Sequence, residues 1–112
     1  MPPTPVSSWF VYVLECDGAY LYVGVTTDVR RRYREHLRGG ARAAKYTRTR
    51  RRLELAYAVE AGDRSLAMQI EHRLRHLSAA DKRRVLRERM PLPRLADFLG
   101  LHPHAAAGTL PA

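Results

Sequence analysis

The sequence predicts a small α/β domain in which a three-stranded, mostly antiparallel sheet is flanked by helices, in the order β-β-α-β-α-α. Three observations favour this fold class. Two β-branched and aromatic runs are separated by Asp17-Gly18, a third run from Leu53 alternates apolar with other residues, and apolar residues elsewhere recur at helical spacing. The 112 residues suffice for one hydrophobic core and are too few for two.

The first two runs predict an antiparallel hairpin. Residues 9–16 and 20–25 are rich in Val, Tyr and Leu, and Asp17-Gly18 between them is typical of a turn. Gly24 is unfavourable inside a strand, where a glycine often marks the close approach of a ligand or another backbone. We therefore expect Gly24 to have a structural role beside a site.

The turn of this hairpin decides whether Tyr12 and Tyr22 share one face of the sheet. A two-residue turn would place the two phenols on opposite faces, where they could not share a substrate. A three-residue loop of residues 16–18, with a left-handed glycine and a G1 bulge, would instead pair Tyr12 with Tyr22 and Phe10 with Gly24. We predict the bulged loop, although either tyrosine taken alone is more simply explained as a half-buried strand residue.

A first helix is predicted between a cap at residues 27–28 and the glycines at residues 39–40. Val29, Tyr33 and Leu37 recur at helical spacing within it and form the expected buried stripe.

Arg32 and His36 border that stripe. At about 100° per residue they lie within about 60° of it, whereas the other arginines of this helix face solvent. An inward arginine needs an anionic partner, and a phosphate and an internal carboxylate are equally good candidates. His36 alone is more simply explained as a satisfied histidine at the edge of the core.

The second half of the chain predicts one strand and two helices. Residues 53–60 alternate, which indicates a strand with one buried face. A second helix is predicted from near Asp63, and Ser78 with Asp81 resembles a capping box that opens a third helix ending at about Met90.

The chain is predicted to consist of one domain with two appendages. Residues 1–8 are expected to be a flexible N-terminus and residues 9–90 the domain, while residues 91–112 form a C-terminal extension with a short helical turn and then a loose tail. Residues 39–52 lack a clear period and predict an exposed basic loop.

The composition favours a polyanionic partner. Twenty Lys and Arg against eleven Asp and Glu give a formal net charge of +9, so nucleic acid is the first candidate, although a ribosome-associated or chromatin-like binder would share this charge. The single cysteine excludes an internal disulfide and a cysteine-based metal site. No apolar run reaches the ~20 residues of a membrane span and no secretory signal is recognisable, so we expect a cytoplasmic protein without a membrane partner.

Two short elements resemble the paired motifs of a nuclease superfamily. Residues 10–12 and 22–24 are separated by nine residues, read Phe-Val-Tyr and Tyr-Val-Gly, and look like the GIY and YIG elements of the GIY-YIG endonucleases. That superfamily carries an arginine ten residues after the second tyrosine, which corresponds to Arg32. The pattern of residues 67–75 is similar to the family's next helix and corresponds to a metal-binding glutamate at Glu71.

The likeness is greatest to the small, stand-alone bacterial members, and it extends over roughly residues 9–86. It implies a metal-dependent DNA endonuclease that acts on branched, damaged or distorted DNA, as in DNA repair, and is structure-selective rather than sequence-specific. One Mg²⁺ or Mn²⁺ ion would be held by Glu71, and Arg32 would stabilise the phosphoryl oxygens. One tyrosine, for which we favour Tyr22, would take a proton from water.

The implied site residues fall into two sets. The catalytic set comprises Tyr12, Tyr22, Arg32, His36 and Glu71. The nucleic-acid-binding set comprises Lys45, Tyr46, Arg48, Arg50, Arg51 and Arg52. Two other functions stay open, a non-catalytic nucleic-acid binding module with the same fold and an adaptor for an acidic protein or RNA. A protein partner is possible, and we expect a monomer or a weak dimer.

Overall fold

The computed structural model describes residues 7–39 and 52–101, which form three strands and four helices. Their order is β-β-α-β-α-α-α, so the predicted fold class is confirmed, with one more helix than predicted. The strands are β1 (Trp9–Cys16), β2 (Tyr20–Thr26) and β3 (Leu53–Gly62), and the helices are α1 (Val29–Arg38), α2 (Arg64–Arg75), α3 (Ala79–Glu88) and α4 (Leu92–Phe98).

β1 is the central strand of the sheet and pairs antiparallel with β2 on one side and β3 on the other. Because side chains alternate along a strand, β1 contributes to two hydrophobic cores. Val11 and Val13 face a larger core formed with α2, α3 and α4, whereas Tyr12 and Leu14 face a smaller core beside α1. The sheet therefore lies between two helical layers.

The register of the β1–β2 hairpin differs from the prediction by two residues. Tyr12 lies opposite Gly24 and Tyr22 lies opposite Leu14, so the predicted pairing of the two tyrosines is wrong, as is that of Phe10 with Gly24. A slip of two residues preserves the face on which each side chain lies. Both tyrosines therefore still project from the α1 side of the sheet.

The hairpin loop consists of residues 17–19 rather than 16–18. Asp17 and Gly18 both adopt left-handed backbone angles, with φ of 53° and 71°, and the Ala19 N–H donates to the Cys16 carbonyl at 3.1 Å. Gly18 is left-handed as predicted. Asp17 shares this conformation because aspartate tolerates it better than most residues.

β3 contains a bulge that the alternating sequence did not reveal. The β1–β3 register shifts between Val13 and Leu14, which leaves Ala56 as an extra residue in β3. A bulge of one residue moves the following side chains to the other face. Leu53 accordingly packs in the smaller core and Tyr57 in the larger one, so the prediction of a single buried face is wrong.

α1 begins at the predicted cap, and two of the three residues of its predicted stripe pack against the smaller core. The Asp28 carboxylate accepts a hydrogen bond from the Arg31 N–H at 3.0 Å, and Gly39 with φ 69° ends the helix. His36 is 1% exposed, whereas Leu37, predicted to be buried, is 54% exposed. The helix turns its His36 side to the sheet, where the histidine finds a hydrogen-bonding partner.

The remaining helices close the larger core. Ser78 caps α3 by accepting from the Asp81 N–H at 3.1 Å, as the capping box predicted. α4 is a two-turn helix rather than a short turn, and residues 92–101 contribute the buried Leu95 and Leu99 to this core. The Tyr57 hydroxyl donates to the Met90 carbonyl, which ties β3 to the segment that precedes α4. None of the helices in the described residues combines the length and hydropathy of a membrane span.

Candidate active site

Three aromatic side chains, Tyr12, Tyr22 and His36, meet on the α1 side of the sheet. The ring centroids of the two tyrosines are 6.3 Å apart, and the His36 ring lies 5.9 Å from Tyr12 and 5.3 Å from Tyr22. The two tyrosines are diagonal neighbours across the strand pair, a separation that aromatic side chains can span. The structure thus brings together three of the predicted site residues.

Tyr12 and His36 form a buried, neutral hydrogen-bonded pair. The Tyr12 hydroxyl oxygen and His36 Nε2 are 2.8 Å apart, and both residues are 1% exposed. Burial raises the pKa of the Tyr12 phenol well above its usual range, and Tyr22 raises it further while Arg32 opposes the shift. Burial, aided by Arg32, lowers the pKa of His36 to about 4, with Glu35 acting in the opposite direction. Both groups are therefore uncharged at neutral pH.

Gly24 makes room for the Tyr12 ring. A Cβ atom at Gly24 would lie 2.5 Å from the Tyr12 hydroxyl oxygen and 2.6 Å from Cζ, far inside van der Waals contact. The glycine therefore allows the phenol to lie directly over β2. This is a close approach of a side chain of the site, where the sequence suggested a ligand or another backbone.

Arg32 lies on the same side of α1 as His36. Its Nη1 atom is 3.0 Å from Glu35 Oε1, and the two side chains are 25% and 17% exposed. The guanidinium also acts on the Tyr12 hydroxyl, since it lowers the pKa of that phenol against the effect of burial. The internal carboxylate considered for Arg32 is thus present. Because a guanidinium carries five donors, a pair through Nη1 remains compatible with a phosphate contact.

Glu71 approaches this cluster from the other layer of the fold. It lies on α2, whose apolar stripe packs in the larger core, and β2 is an edge strand of the sheet. A surface pocket of about 380 Å³ runs along this edge and is lined by Leu21, Tyr22, Val23, Glu71 and Arg75. Tyr22 is therefore the predicted site residue that shares a pocket with Glu71.

A single divalent ion in this pocket would take most of its ligands from water or substrate. Glu71 is one carboxylate with a side chain 16% exposed, and no group of three or more His, Cys, Asp or Glu residues in the described parts of the chain could hold an ion. Mg²⁺ commonly binds through one or two carboxylates and takes its other ligands from water and substrate phosphates. The single carboxylate of Glu71 is compatible with this mode of Mg²⁺ binding.

Arg52 is the one member of the predicted nucleic-acid-binding set that falls within the described residues. Its N–H donates to the Asp17 carboxylate at 2.8 Å, and its carbonyl accepts from the Asp17 N–H at 2.7 Å, so its backbone is fixed to the hairpin loop. The side chain is exposed. The other members, Lys45, Tyr46, Arg48, Arg50 and Arg51, lie outside the described residues.

Two charged residues near the site were not singled out from the sequence. Glu35 pairs with Arg32, and Arg75 pairs with Glu71 through Nε and Oε2 at 3.0 Å. Opposite charges three or four residues apart on a helix are neighbours, so this spacing was the available signal. Such pairs are common on helix surfaces, and only the folded structure shows that one lies in the pocket of Tyr22 and the other beside Tyr12.

Comparison with known proteins identifies the family to which the chain is similar. The GIY-YIG catalytic domain matches residues 8–84. The UPF0213 protein YhbQ of Salmonella typhimurium is 43% identical over 94 residues, which are 84% of this chain and 92% of that protein. The UPF0213 protein H16_B0156 of Cupriavidus necator is 42% identical over 77 residues, or 69% and 82% of the two chains.

A solved structure is also similar. The solution NMR structure of the UPF0213 protein BH0048 from Bacillus halodurans is 35% identical, with a TM-score of 0.46, and the match covers 70% of this chain and 82% of that one. The family match includes both tyrosines, Arg32 and Glu71. The chain therefore belongs to the GIY-YIG catalytic domain family.

Proposed function

We propose that this protein is a Mg²⁺- or Mn²⁺-dependent endonuclease that hydrolyses phosphodiester bonds in DNA and selects substrates by structure rather than sequence. Family membership supports a nuclease. The observation that carries the proposal is the meeting of Tyr12, Tyr22 and His36 beside Arg32, with Glu71 in the pocket of Tyr22. Phosphodiester hydrolysis requires an activated water and stabilised charge on the phosphoryl oxygens, and these side chains match both needs.

We assign Tyr22 as the general base. Tyr12 is buried, its pKa is raised, and its hydroxyl is engaged with His36, so it holds its proton strongly. Tyr22 is only partly buried and lines the pocket that also contains Glu71, where a water and a phosphate can enter. Only the phenolate form of a tyrosine accepts a proton from water, and a divalent ion held by Glu71 in the same pocket would favour that form.

Tyr12 and His36 would position Tyr22 and the substrate without exchanging protons themselves. With its pKa near 4, His36 is neutral at pH 7. In its Nδ1–H tautomer, Nε2 accepts a hydrogen bond from the Tyr12 hydroxyl. This hydrogen bond holds the Tyr12 ring beside Tyr22. Arg32, oriented by Glu35, would then donate to the non-bridging phosphate oxygens.

Glu71 would hold the divalent ion, which when bound supplies Lewis-acid polarisation of the phosphate and lowers the pKa of a coordinated water. Lys45, Arg48 and the arginines at positions 50–52 would hold the DNA backbone, and the backbone of Arg52 is hydrogen-bonded to the hairpin loop. A cytoplasmic location and a monomeric or weakly dimeric state are also part of this proposal.

The proposal is tested with labelled duplex, single-stranded, flap and junction DNA, each with and without Mg²⁺. Glu71→Ala and Arg32→Ala should abolish nicking while DNA binding largely survives. The matched controls are Glu54→Ala, an exposed glutamate on β3, and Arg34→Ala, an exposed arginine on α1, and both should retain activity. Nicking that persists in Glu71→Ala, or that needs no metal ion, would overturn the proposal.

A non-catalytic nucleic-acid binding module is the second candidate. It is favoured by one observation, namely that the two predicted catalytic charges are each neutralised on their own helix, Arg32 by Glu35 and Glu71 by Arg75. Such a module would bind DNA equally well with or without Mg²⁺ and would nick none of the substrates. Substitutions of exposed arginines such as Arg52→Ala would weaken its binding, whereas Glu71→Ala would change nothing.

A further inference from the structure

Arg75 contributes the second charged side chain of the pocket at the β2 edge. The pocket contains one carboxylate, that of Glu71, and one guanidinium, and the two are joined by a 3.0 Å ion pair. Tyr22 lines the same pocket. A divalent ion or phosphate bound in this pocket would therefore lie beside Arg75.

The two partners of this ion pair differ in exposure. The Glu71 side chain is 16% exposed, whereas that of Arg75 is 57% exposed. The carboxylate is therefore held by its surroundings, and the guanidinium is the partner that can leave into solvent on its flexible stem. Ion pairs this exposed change an equilibrium by only about two- to fivefold, so a competing cation can displace Arg75 easily.

We propose that Arg75 is an exchangeable counterion for the metal-binding carboxylate. In the free protein it neutralises Glu71, and when a divalent ion takes that carboxylate the released guanidinium contacts a backbone phosphate of the DNA in the same pocket. The planar fork of donors on arginine suits a phosphate as well as a carboxylate. This inference rests on the proposed function, because it requires Glu71 to hold the ion.

A merely structural pair would behave differently. Glu and Arg four residues apart stabilise a helix, and such a pair could also orient the Glu71 carboxylate for an ion. Loss of Arg75 would then leave the affinity for metal unchanged or weaken it. An exchangeable counterion instead competes with the ion, so its loss strengthens metal binding. The two roles are distinguished by the sign of the effect.

The first measurement is Mn²⁺ binding to the full chain without DNA, followed by electron paramagnetic resonance of the free ion. We expect Arg75→Gln to bind Mn²⁺ about two- to fivefold more tightly than the wild type. Arg87→Gln removes the same charge from an exposed position on α3 and should leave the affinity unchanged. Glu71→Gln should abolish this binding.

The second measurement is the salt dependence of DNA binding with Mn²⁺ present, in a Tyr22→Phe background that prevents cleavage. Loss of one phosphate contact should reduce the slope of log K against log salt concentration by about 0.9 in Arg75→Gln. Arg75→Lys keeps the charge and should restore most of the slope. A structural role for Arg75 would leave the slope unchanged.

The outcomes separate this inference from the proposed function. Equal or weaker Mn²⁺ binding by Arg75→Gln, with binding still dependent on Glu71, overturns the counterion role alone. Mn²⁺ binding that is unaffected by Glu71→Gln overturns both. Circular dichroism of each variant confirms that the protein is folded, so that a loss of binding reflects the missing side chain.

Discussion

At the scale of single residues, the tightest constraint is the contact between Gly24 and Tyr12. The hydroxyl, Cζ and Cε1 atoms of the phenol all lie within 3.0 Å of the place that a Cβ at Gly24 would occupy. These three atoms belong to a ring that is 1% exposed and hydrogen-bonded to His36, so it cannot move away freely. The position therefore requires a glycine.

Gly24→Ala should destabilise the fold and displace Tyr12. Overpacking of this kind costs about 1–3 kcal/mol, which can be measured as a lower midpoint of denaturant unfolding. In a Tyr12→Leu background the clashing atoms are absent, so the same substitution should cost much less. Equal costs in the two backgrounds would show that the clash is relieved by movement elsewhere.

His36 should make the stability of the protein fall in mild acid. Its pKa is about 4 in the folded chain and 6.5 for an ordinary, solvated histidine, so between these two pH values the unfolded state binds a proton that the native state does not. The free energy of unfolding therefore decreases as the pH falls, by up to about 1.4 kcal/mol per pH unit.

Urea unfolding of wild type and His36→Gln across this pH range tests the expectation. The variant should lack this part of the pH dependence, whereas His72→Gln, at an exposed histidine on α2, should behave like the wild type. Parallel curves for wild type and His36→Gln would contradict the buried, neutral state of His36.

At the scale of elements, the hairpin shows what sequence reasoning can and cannot fix. The pattern predicted both strands, and the choice of a three-residue loop over a two-residue turn placed both tyrosines on one face. It did not distinguish two loops whose registers differ by two residues, since both preserve the faces. The loop is decided by Asp17, which adopts φ 53° and binds the backbone of Arg52, a contact between distant segments.

The sequence pattern did not reveal the bulge in β3 or the exposure of Leu37 on α1, for a related reason. Alternation continues through Ala56, yet the pairing with β1 shifts there and exchanges the faces of the strand. Leu37 was expected inside because it continues the apolar stripe, but the last turn of α1 instead buries the neighbouring His36, which is hydrogen-bonded to Tyr12. In both cases tertiary contacts override a local pattern.

α3 ends in a conformation that suits glycine. Arg89 is the C-cap residue and has φ 45° and ψ 55°, the left-handed region in which most side chains are strained. Arg89→Gly should therefore raise the free energy of unfolding by about 0.5–1 kcal/mol, as measured by denaturant unfolding. Arg87→Gly, the same change within the helix, should lower it by about 1 kcal/mol. Destabilisation by both would show that the Arg89 side chain is needed for packing.

At the scale of the whole molecule, the site depends on two layers that meet at the edge of the sheet. The predicted bulged loop placed Tyr12 and Tyr22 on one face, and helix periodicity placed His36 at the border of the inward side of α1. Glu71 could not be predicted to join them, because helical geometry alone places it beside an apolar stripe on another layer. It was assigned through the family resemblance, and its nearness to Tyr22 becomes visible only when β2 is seen as an edge strand.

The net charge of +9 is also a property of the whole molecule, and it predicts salt-sensitive DNA binding. Each phosphate contact adds about −0.9 to the slope of log K against log salt concentration, so we expect a slope of about −3 or steeper for duplex DNA. Fluorescence anisotropy between low and physiological salt measures it, and a duplex of permuted sequence should give the same curve. A slope near zero would favour an acidic protein partner instead.

The packing of α4 shows that the hydrophobic core extends beyond the part of the chain that matches the family. The family match ends at residue 84, whereas Leu95, Leu99 and Leu101 seal the larger core from beyond that point. A catalytic domain cut at its motif boundary would expose the inner faces of α2 and β3 to water. Such a fragment would be prone to aggregation, so engineering or grafting of this nuclease domain should carry its sequence through Leu101.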